Sequence, residues 1–332
     1  MLAVASLLLP TLAVAETRSG ISELRFDATA TPVIGGSTVP AGKWPDAVAV
    51  VGAQGSCTGT LIAPDIVLTA GHCAAAGLTQ VIANTTDYNN AGGVRSQIAS
   101  ITAYPNWETT FDIAVIKLTT PITGVTPRPV GASCTFQGFS NNMMVHLVGF
   151  GLTDTAGQGN NTTLREATAP VIDPMCTGAG AGCSAGAAPG GEFIAGGNGT
   201  DSCFGDSGGP VYLDTPRGTM VIAAVSRGLD NSATPCGGGG IYVRTDKVLQ
   251  WIEQTAGKAV SKDSCAGGGT TPPPDPNEDQ DDPPPGGGDP QNPDDNTSPG
   301  YGGEITGGCS TNGSSAAGLL LGLALLGLRR RR

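Results

Sequence analysis

The apolar sequence between Ala47 and Val243 comes in short, β-branched runs, and this constrains the fold more than any other feature of the chain. Residues 47–51, 66–70, 113–118, 145–148 and 221–225 are each long enough for a strand, and clusters of Gly, Asn, Thr and Pro separate them. Short strands with turn chemistry between them specify an all-β barrel or sandwich. One helix is expected after them. Val248, Trp251, Ile252 and Thr255 recur at helical spacing, Asp246 is placed to cap the start, and Gly257 to end it.

Composition divides the rest of the 332 residues. Residues 2–14 form an apolar run ending in Ala13-Val14-Ala15, which makes 1–15 a signal peptide, although no Lys or Arg precedes the run. Residues 16–32 are polar and without period, as a pro-segment would be. Residues 258–308 read as a linker. From Ala266 to Gly308 they are mostly Gly, Pro, Asp and Asn without a single Lys or Arg, too poor in apolar surface to offset the entropy of ordering. The acidic clusters there lack the spacing of a calcium loop. Residues 309–332 hold Cys309, an apolar stretch over 316–328 and Arg329 to Arg332. That stretch falls short of the roughly 20 residues a bilayer requires. A transient membrane anchor is therefore expected, its Arg cluster kept on the cytoplasmic side during export.

The formal charge of −11 argues against nucleic acid or an anionic membrane surface as a partner. Nine cysteines without tandem CxxC pairs, and only two histidines, argue against zinc; disulfides in an oxidising compartment fit better.

A serine hydroxyl is a weak nucleophile at neutral pH. Acyl transfer through it needs a base, a group to orient that base, and donors for the oxyanion. Asp201-Ser202-Cys203-Phe204-Gly205-Asp206-Ser207-Gly208-Gly209-Pro210 has the glycines to turn tightly and aim the Gly205 and Ser207 amides at one point. Leu68-Thr69-Ala70-Gly71-His72-Cys73 follows an apolar run, with Cys57 placed to staple the strands that present His72. His146 lies inside a strand-like run and reads as a packed or surface histidine. Phe111-Asp112-Ile113-Ala114-Val115-Ile116-Lys117-Leu118 puts an aspartate just ahead of a strand buried on both faces. A buried carboxylate needs partners, and a histidine ring N–H is a suitable one.

In the order His, Asp, Ser, these motifs resemble the trypsin/chymotrypsin family of serine proteases, over residues 33–257. The resemblance implies two six-stranded antiparallel β-barrels with a C-terminal helix, and an endopeptidase of protein or peptide substrates needing no cofactor or metal. It implies that His72 takes the proton of Ser207 and returns it to the leaving amine, that Asp112 holds the imidazole tautomer, and that the Gly205 and Ser207 amides bind the oxyanion. Val33-Ile34-Gly35-Gly36 matches the mature N-terminus of the family, whose amino group pairs with the residue matching Asp206. Asp201 matches the base of a primary pocket selecting Arg or Lys, and Gly228 and Gly240 match its wall glycines. Cys57 with Cys73 and Cys203 with Cys236 match family disulfides. A third family bridge has lost a partner to Ile194, which leaves Cys176 for Cys183 and Cys134 for Cys265.

Two departures stand out. Pro32 precedes Val33 where family zymogens are cut after Arg or Lys, which implies an activating protease of different specificity. Val225-Ser226-Arg227-Gly228 carries Arg where trypsin has Trp, and Phe204 stands beside the oxyanion loop. A cation at the pocket mouth is expected to act against basic substrates.

The tail resembles bacterial C-terminal sorting signals of the MYXO-CTERM kind more than the GlyGly-CTERM kind, because Cys309 precedes the apolar segment. It implies a Gram-negative source, a sorting protease as partner, and a protein secreted or displayed on the outer membrane. Two rival readings are weaker. A silent relative kept as a binding module is disfavoured by the survival of all three motifs. An esterase places its serine in a Gly-x-Ser-x-Gly elbow and its histidine last, whereas the histidine comes first here.

Overall fold

The computed structural model describes residues 33–178 and 180–265. The expected signal peptide, the pro-segment, the linker beyond Cys265 and the sorting signal with Cys309 lie outside the described residues.

The short β1 (Ser37–Thr38) precedes β2 (Ala47–Gly52), β3 (Gly55–Ala63), β4 (Ile66–Thr69), β5 (Leu78–Ala83), β6 (Val94–Ala103) and β7 (Ala114–Leu118). The last six close into an antiparallel barrel in the order β2-β3-β4-β7-β6-β5. A second set follows: β8 (Met144–Gly149), β9 (Arg165–Asp173), β10 (Glu192–Ala195), β11 (Pro210–Thr215), β12 (Gly218–Gly228) and β13 (Gly240–Arg244). It runs β9-β10-β13-β12-β11-β8 and closes through β8 onto β9, with β1 added at β9. The fold is thus the expected pair of six-stranded barrels, and closure leaves few strand edges to protect.

Burial follows the strand period where one face meets solvent. In β9, Ala167, Ala169 and Val171 are buried and the residues between them are not. In β12 both faces are covered, since Ile222 and Ala223 enter the core of the second barrel while Val221 and Ala224 face a core shared with the first. That is why residues 221–225 contain no polar member.

The helix α1 (Thr245–Ala256) lies where the periodicity puts it, with Val248 and Ile252 buried in the shared core and Gly257 left-handed at φ 75°. Its start differs from expectation. Arg244 is the N-cap residue, and Asp246 lies in the first turn, taken up by the Arg244 guanidinium at 3.0 Å. The packed body also continues past Gly257 to Cys265. Val260 and Asp263 are buried, Val130 pairs with Lys262, and Asp263 binds Arg217 at 2.7 Å and Thr135 at 2.8 Å. The Arg217 bond pulls Asp263 down to about 2. Residues 258–265 therefore belong to the domain rather than the linker. Among the described residues, four disulfides join Cys57 to Cys73, Cys203 to Cys236, Cys176 to Cys183, and Cys134 to Cys265.

One polar cluster interrupts the seam between the barrels. Asp46 is fully buried and accepts from Arg128 Nε at 2.9 Å, Arg128 Nη2 at 2.6 Å and Tyr212 Oη at 2.6 Å. Burial and the Asp46 charge hold the Tyr212 phenol well above its usual range, so it remains a donor. The guanidinium lies over Trp44 and Tyr212, whose rings stack at 4.5 Å. Breaking one partner of such a pair strands a buried charge. Arg128→Met is expected to cost about 3–5 kcal/mol, and Asp46→Leu/Arg128→Met/Tyr212→Phe much less. Urea unfolding in a Ser207→Ala background checks this; a triple variant as unstable as the single one would contradict it.

Candidate active site

The chain leaves β4 at Thr69 and turns through Gly71 into a short 3₁₀ helix, His72–Ala75, pinned to β3 by the bond from Cys73 to Cys57. Gly71 has no room for a side chain: a Cβ would lie 2.8 Å from Trp107 and 3.0 Å from Asp112 Oδ1. The close approach lets the His72 amide donate to Asp112 Oδ1 at 2.9 Å while Nδ1 meets Oδ2 at 2.8 Å. Ser226 Oγ, from β12, donates to the same Oδ2 at 2.7 Å. Asp112 is only 5% exposed, and burial alone would raise its carboxyl. The bonds and charge of His72, together with the Ser226 bond, outweigh burial and hold it below the usual range.

Ser207 sits in a loop held from both barrels. Its carbonyl accepts from Thr58 N at 2.9 Å, and Thr58 Oγ1 donates to the Gly205 carbonyl at 2.7 Å. On the other side Gly208 N donates to Val225 of β12 at 2.8 Å, and Cys203 is bonded to Cys236. Gly205 has φ 96° and Gly208 φ 78°, and a side chain on Gly208 would collide with Thr69 and Ala70 of the strand end that carries His72. His72, Asp112 and Ser207 line one cavity of about 450 Å³, together with Ser202, Val225 and Gly228. Phe204 stands 60% exposed on its rim. His146 is elsewhere, on β8, bound to Asp214 at 3.0 Å.

Two further carboxyls are buried close to the loop. Asp206 accepts from Gly151 N at 2.7 Å and Cys203 N at 2.9 Å, and burial pushes it up to about 7. Gly149 and Gly151 both lie against its carboxylate, where any side chain would clash. Val33 is buried in the core of the second barrel. Asp201 accepts from Ser202 N at 2.7 Å, Gly237 N at 2.9 Å and Gly239 N at 3.2 Å, and burial pushes it up to about 6. It is sealed from solvent at 1% exposure, with its neighbour Ser202 on the cavity wall. A Cβ on Gly240 would come within 3.1 Å of Asp201 Oδ1, and one on Gly228 within 3.3 Å of the Pro235 carbonyl.

Arg227 does not present a free cation at the mouth. Its Nη1 and Nη2 bind Glu192 at 2.8 and 3.0 Å, its Nε and Nη2 bind the Gly182 carbonyl at 3.0 and 2.7 Å, and Nη1 binds Ser226 Oγ at 2.8 Å. The expected opposition to basic substrates thus has its charge cancelled by Glu192, itself 1% exposed. Glu192, Ser226 and Thr58 are the residues that the motifs do not reveal. The only sequence signal for Glu192 is an acid inside the apolar string Glu192-Phe193-Ile194-Ala195.

Known proteins resemble the chain over about two thirds of its length. The mouse Serine protease 56 is 30% identical over 250 residues, covering 70% of this chain and 40% of its own length. Bovine Chymotrypsin-like elastase family member 1 is 29% identical, with 92% of its length covered, and Trypsin 5G1 of Aedes aegypti 28%, with 85% covered. The chain spans about 40% of the length of the mouse and human Serine protease 56. The Trypsin family matches residues 33–252, which take in both barrels and all the polar residues of the cavity, and the chain belongs to that family.

Proposed function

We propose that this chain is a serine endopeptidase that hydrolyses peptide bonds through an acyl-enzyme on Ser207, after Arg or Lys. The observation that carries this is the Asp112–His72 pair lining the same cavity as Ser207. With Nδ1 committed to the carboxylate at 2.8 Å, Nε2 is the ring nitrogen left for the serine proton. His72 takes that proton as Ser207 Oγ adds to the substrate carbonyl, then delivers it to the leaving amine. Water reverses the sequence to release the acid. Asp112 fixes the tautomer and stabilises the imidazolium, and the Gly205 and Ser207 amides receive the oxyanion.

For specificity, Asp201 provides the buried negative charge behind the cavity wall that Ser202 and Gly228 line, and Gly240 lies against its carboxylate without a side chain. A guanidinium or ammonium reaching Asp201 replaces amide dipoles by an ionic partner, which a neutral side chain does not. The charge matters because the Asp201 carboxyl is raised to about 6. It is ionised above that pH and neutral below it.

Activation is read as cleavage between Pro32 and Val33, placing a new ammonium against Asp206, whose carboxyl burial otherwise favours as the neutral form. Because Pro32 occupies the cleavage position, the activating protease is one that cuts after proline rather than this enzyme itself. Residues 1–15 direct export. The C-terminal segment with Cys309 associates with the membrane until a sorting protease removes it, leaving the enzyme secreted or on the surface of a Gram-negative cell.

Protein processed to begin at Val33 should cleave peptides after Arg and Lys in preference to Phe, Ala or Glu, and Ser207→Ala should lower kcat by about six orders of magnitude. A Ser207→Ala enzyme of undiminished activity would refute the mechanism, and a preference for Phe would refute the role of Asp201. The ratio of kcat/KM for an Arg substrate to that for a neutral one should fall as pH drops through about 6, as Asp201 becomes neutral. An ionisation that both substrates require alike cancels in this ratio, so a flat ratio excludes Asp201 as the selector. N-terminal sequencing of the exported protein should begin at Val33, and any other start removes the proposed pairing with Asp206.

A further inference from the structure

We propose that Arg227 is a positioning residue for the Asp112–His72 pair, acting through the Ser226 hydroxyl; this rests on the reading of Ser207 as the nucleophile. Successive side chains of a regular strand point to opposite faces. Between Val225 and Arg227 the register of β12 against β13 shifts, and this bulge lets Arg227 Nη1 reach the hydroxyl of its own neighbour, Ser226, at 2.8 Å. A guanidinium has donors and no acceptor, so Ser226 Oγ must accept from it. The single hydroxyl proton is then committed to Asp112 Oδ2 at 2.7 Å, the same oxygen that faces His72 Nδ1.

The guanidinium is itself immobilised. Its fork binds the buried Glu192 of β10, and its inner edge binds the Gly182 carbonyl, in a loop tied by the bond from Cys176 to Cys183. These contacts occupy all five of its N–H donors. Its consequence for the pair is twofold. The hydroxyl cannot rotate away from Asp112, and a hydroxyl that accepts from a cation is a stronger donor. It therefore draws charge from Oδ2 and moderates how tightly the pair holds its proton.

The charged groups around the pair are Arg227 from β12, Glu192 from β10, Glu108 in the turn before Asp112, and Asp230 in the loop after β12. Arg227 and Glu192 cancel, so removing both leaves the net charge near His72 unchanged. A change in the pH profile then reports the hydrogen bond.

The test uses Arg227→Met/Glu192→Met, which strands no buried charge, and Arg227→Lys, which keeps a cation opposite Glu192 but loses the fork. Both are measured on a minimal substrate with one residue before the scissile bond. Each variant should lose about two- to tenfold in kcat with KM unchanged, and the acid limb of kcat against pH should move upward. In a Ser207→Ala background, the downfield proton resonance of His72 Nδ1–H should shift in both variants. Wild-type kcat, acid limb and resonance in both variants, or a change confined to KM, would overturn the proposal. If the unaltered enzyme shows no activity that Ser207→Ala abolishes, the reading of Ser207 fails, while the His72 resonance still decides the role of Arg227.

Discussion

The site is organised around keeping one buried carboxylate, Asp112, charged. At 5% exposure it has lost its water, and only donors supplied by the protein keep it ionised. Two come from His72 on the first barrel and the third from Ser226 on the second. Asp112 is therefore fully satisfied only when the barrels are docked. Docking and the orientation of the imidazole are consequences of the same bonds, and even Gly71 is dictated by them, because a side chain there would press on Oδ1 and Trp107.

The dependence also runs the other way. Ser207 is carried by the second barrel, yet its loop is fixed by the Thr58 amide and hydroxyl of β3. Each barrel thus holds a group belonging to the other. A seam that must resist sliding by fractions of an ångström needs more than apolar area, which is indifferent to small shifts. Asp46, Arg128 and Tyr212 supply directional bonds in it, and the stacked Trp44 and Tyr212 flank the guanidinium. Such a cluster contributes register more than net stability, as a well-packed apolar set would stabilise as much.

Much of this was legible in the sequence because it is local. The β-branched runs became strands, the period of Val248 and Ile252 became a buried helix face, and Gly257 ends it left-handed as its lack of a side chain permits. His72 and Ser207 are marked by neighbours whose small size the turns require. What was not legible depends on residues far apart in the chain. Ser226 reaches across 114 positions to Asp112, and Tyr212 across 166 to Asp46. Glu192 carries no motif, and its meaning appears only beside Arg227. The misplaced expectation about Arg227 has the same origin, since a cation read alone looks free. Asp246 misled differently: it suits a helix start, but Arg244, two residues earlier, claimed its carboxylate.

Three buried carboxylates in and behind the site now divide by the nature of their donors. Besides one backbone amide, Asp112 meets an imidazole and a hydroxyl, and is held below its usual range. Asp201 and Asp206 accept from backbone amides, and among the described residues neither has a cationic partner; burial raises them to about 6 and about 7. Amide dipoles offset only part of a desolvation penalty, and a cation brought to either carboxylate favours its ionised form. On the proposed reading, the cation for Asp206 is the ammonium made by processing, and that for Asp201 is the substrate side chain. The two acids lie in one loop on either side of Cys203, so on that reading ordering the loop by one cation favours the geometry that receives the other. Selectivity and activation then share a physical source, the incomplete neutralisation of two buried acids, while the chemistry is assigned to the third, whose charge the fold itself secures.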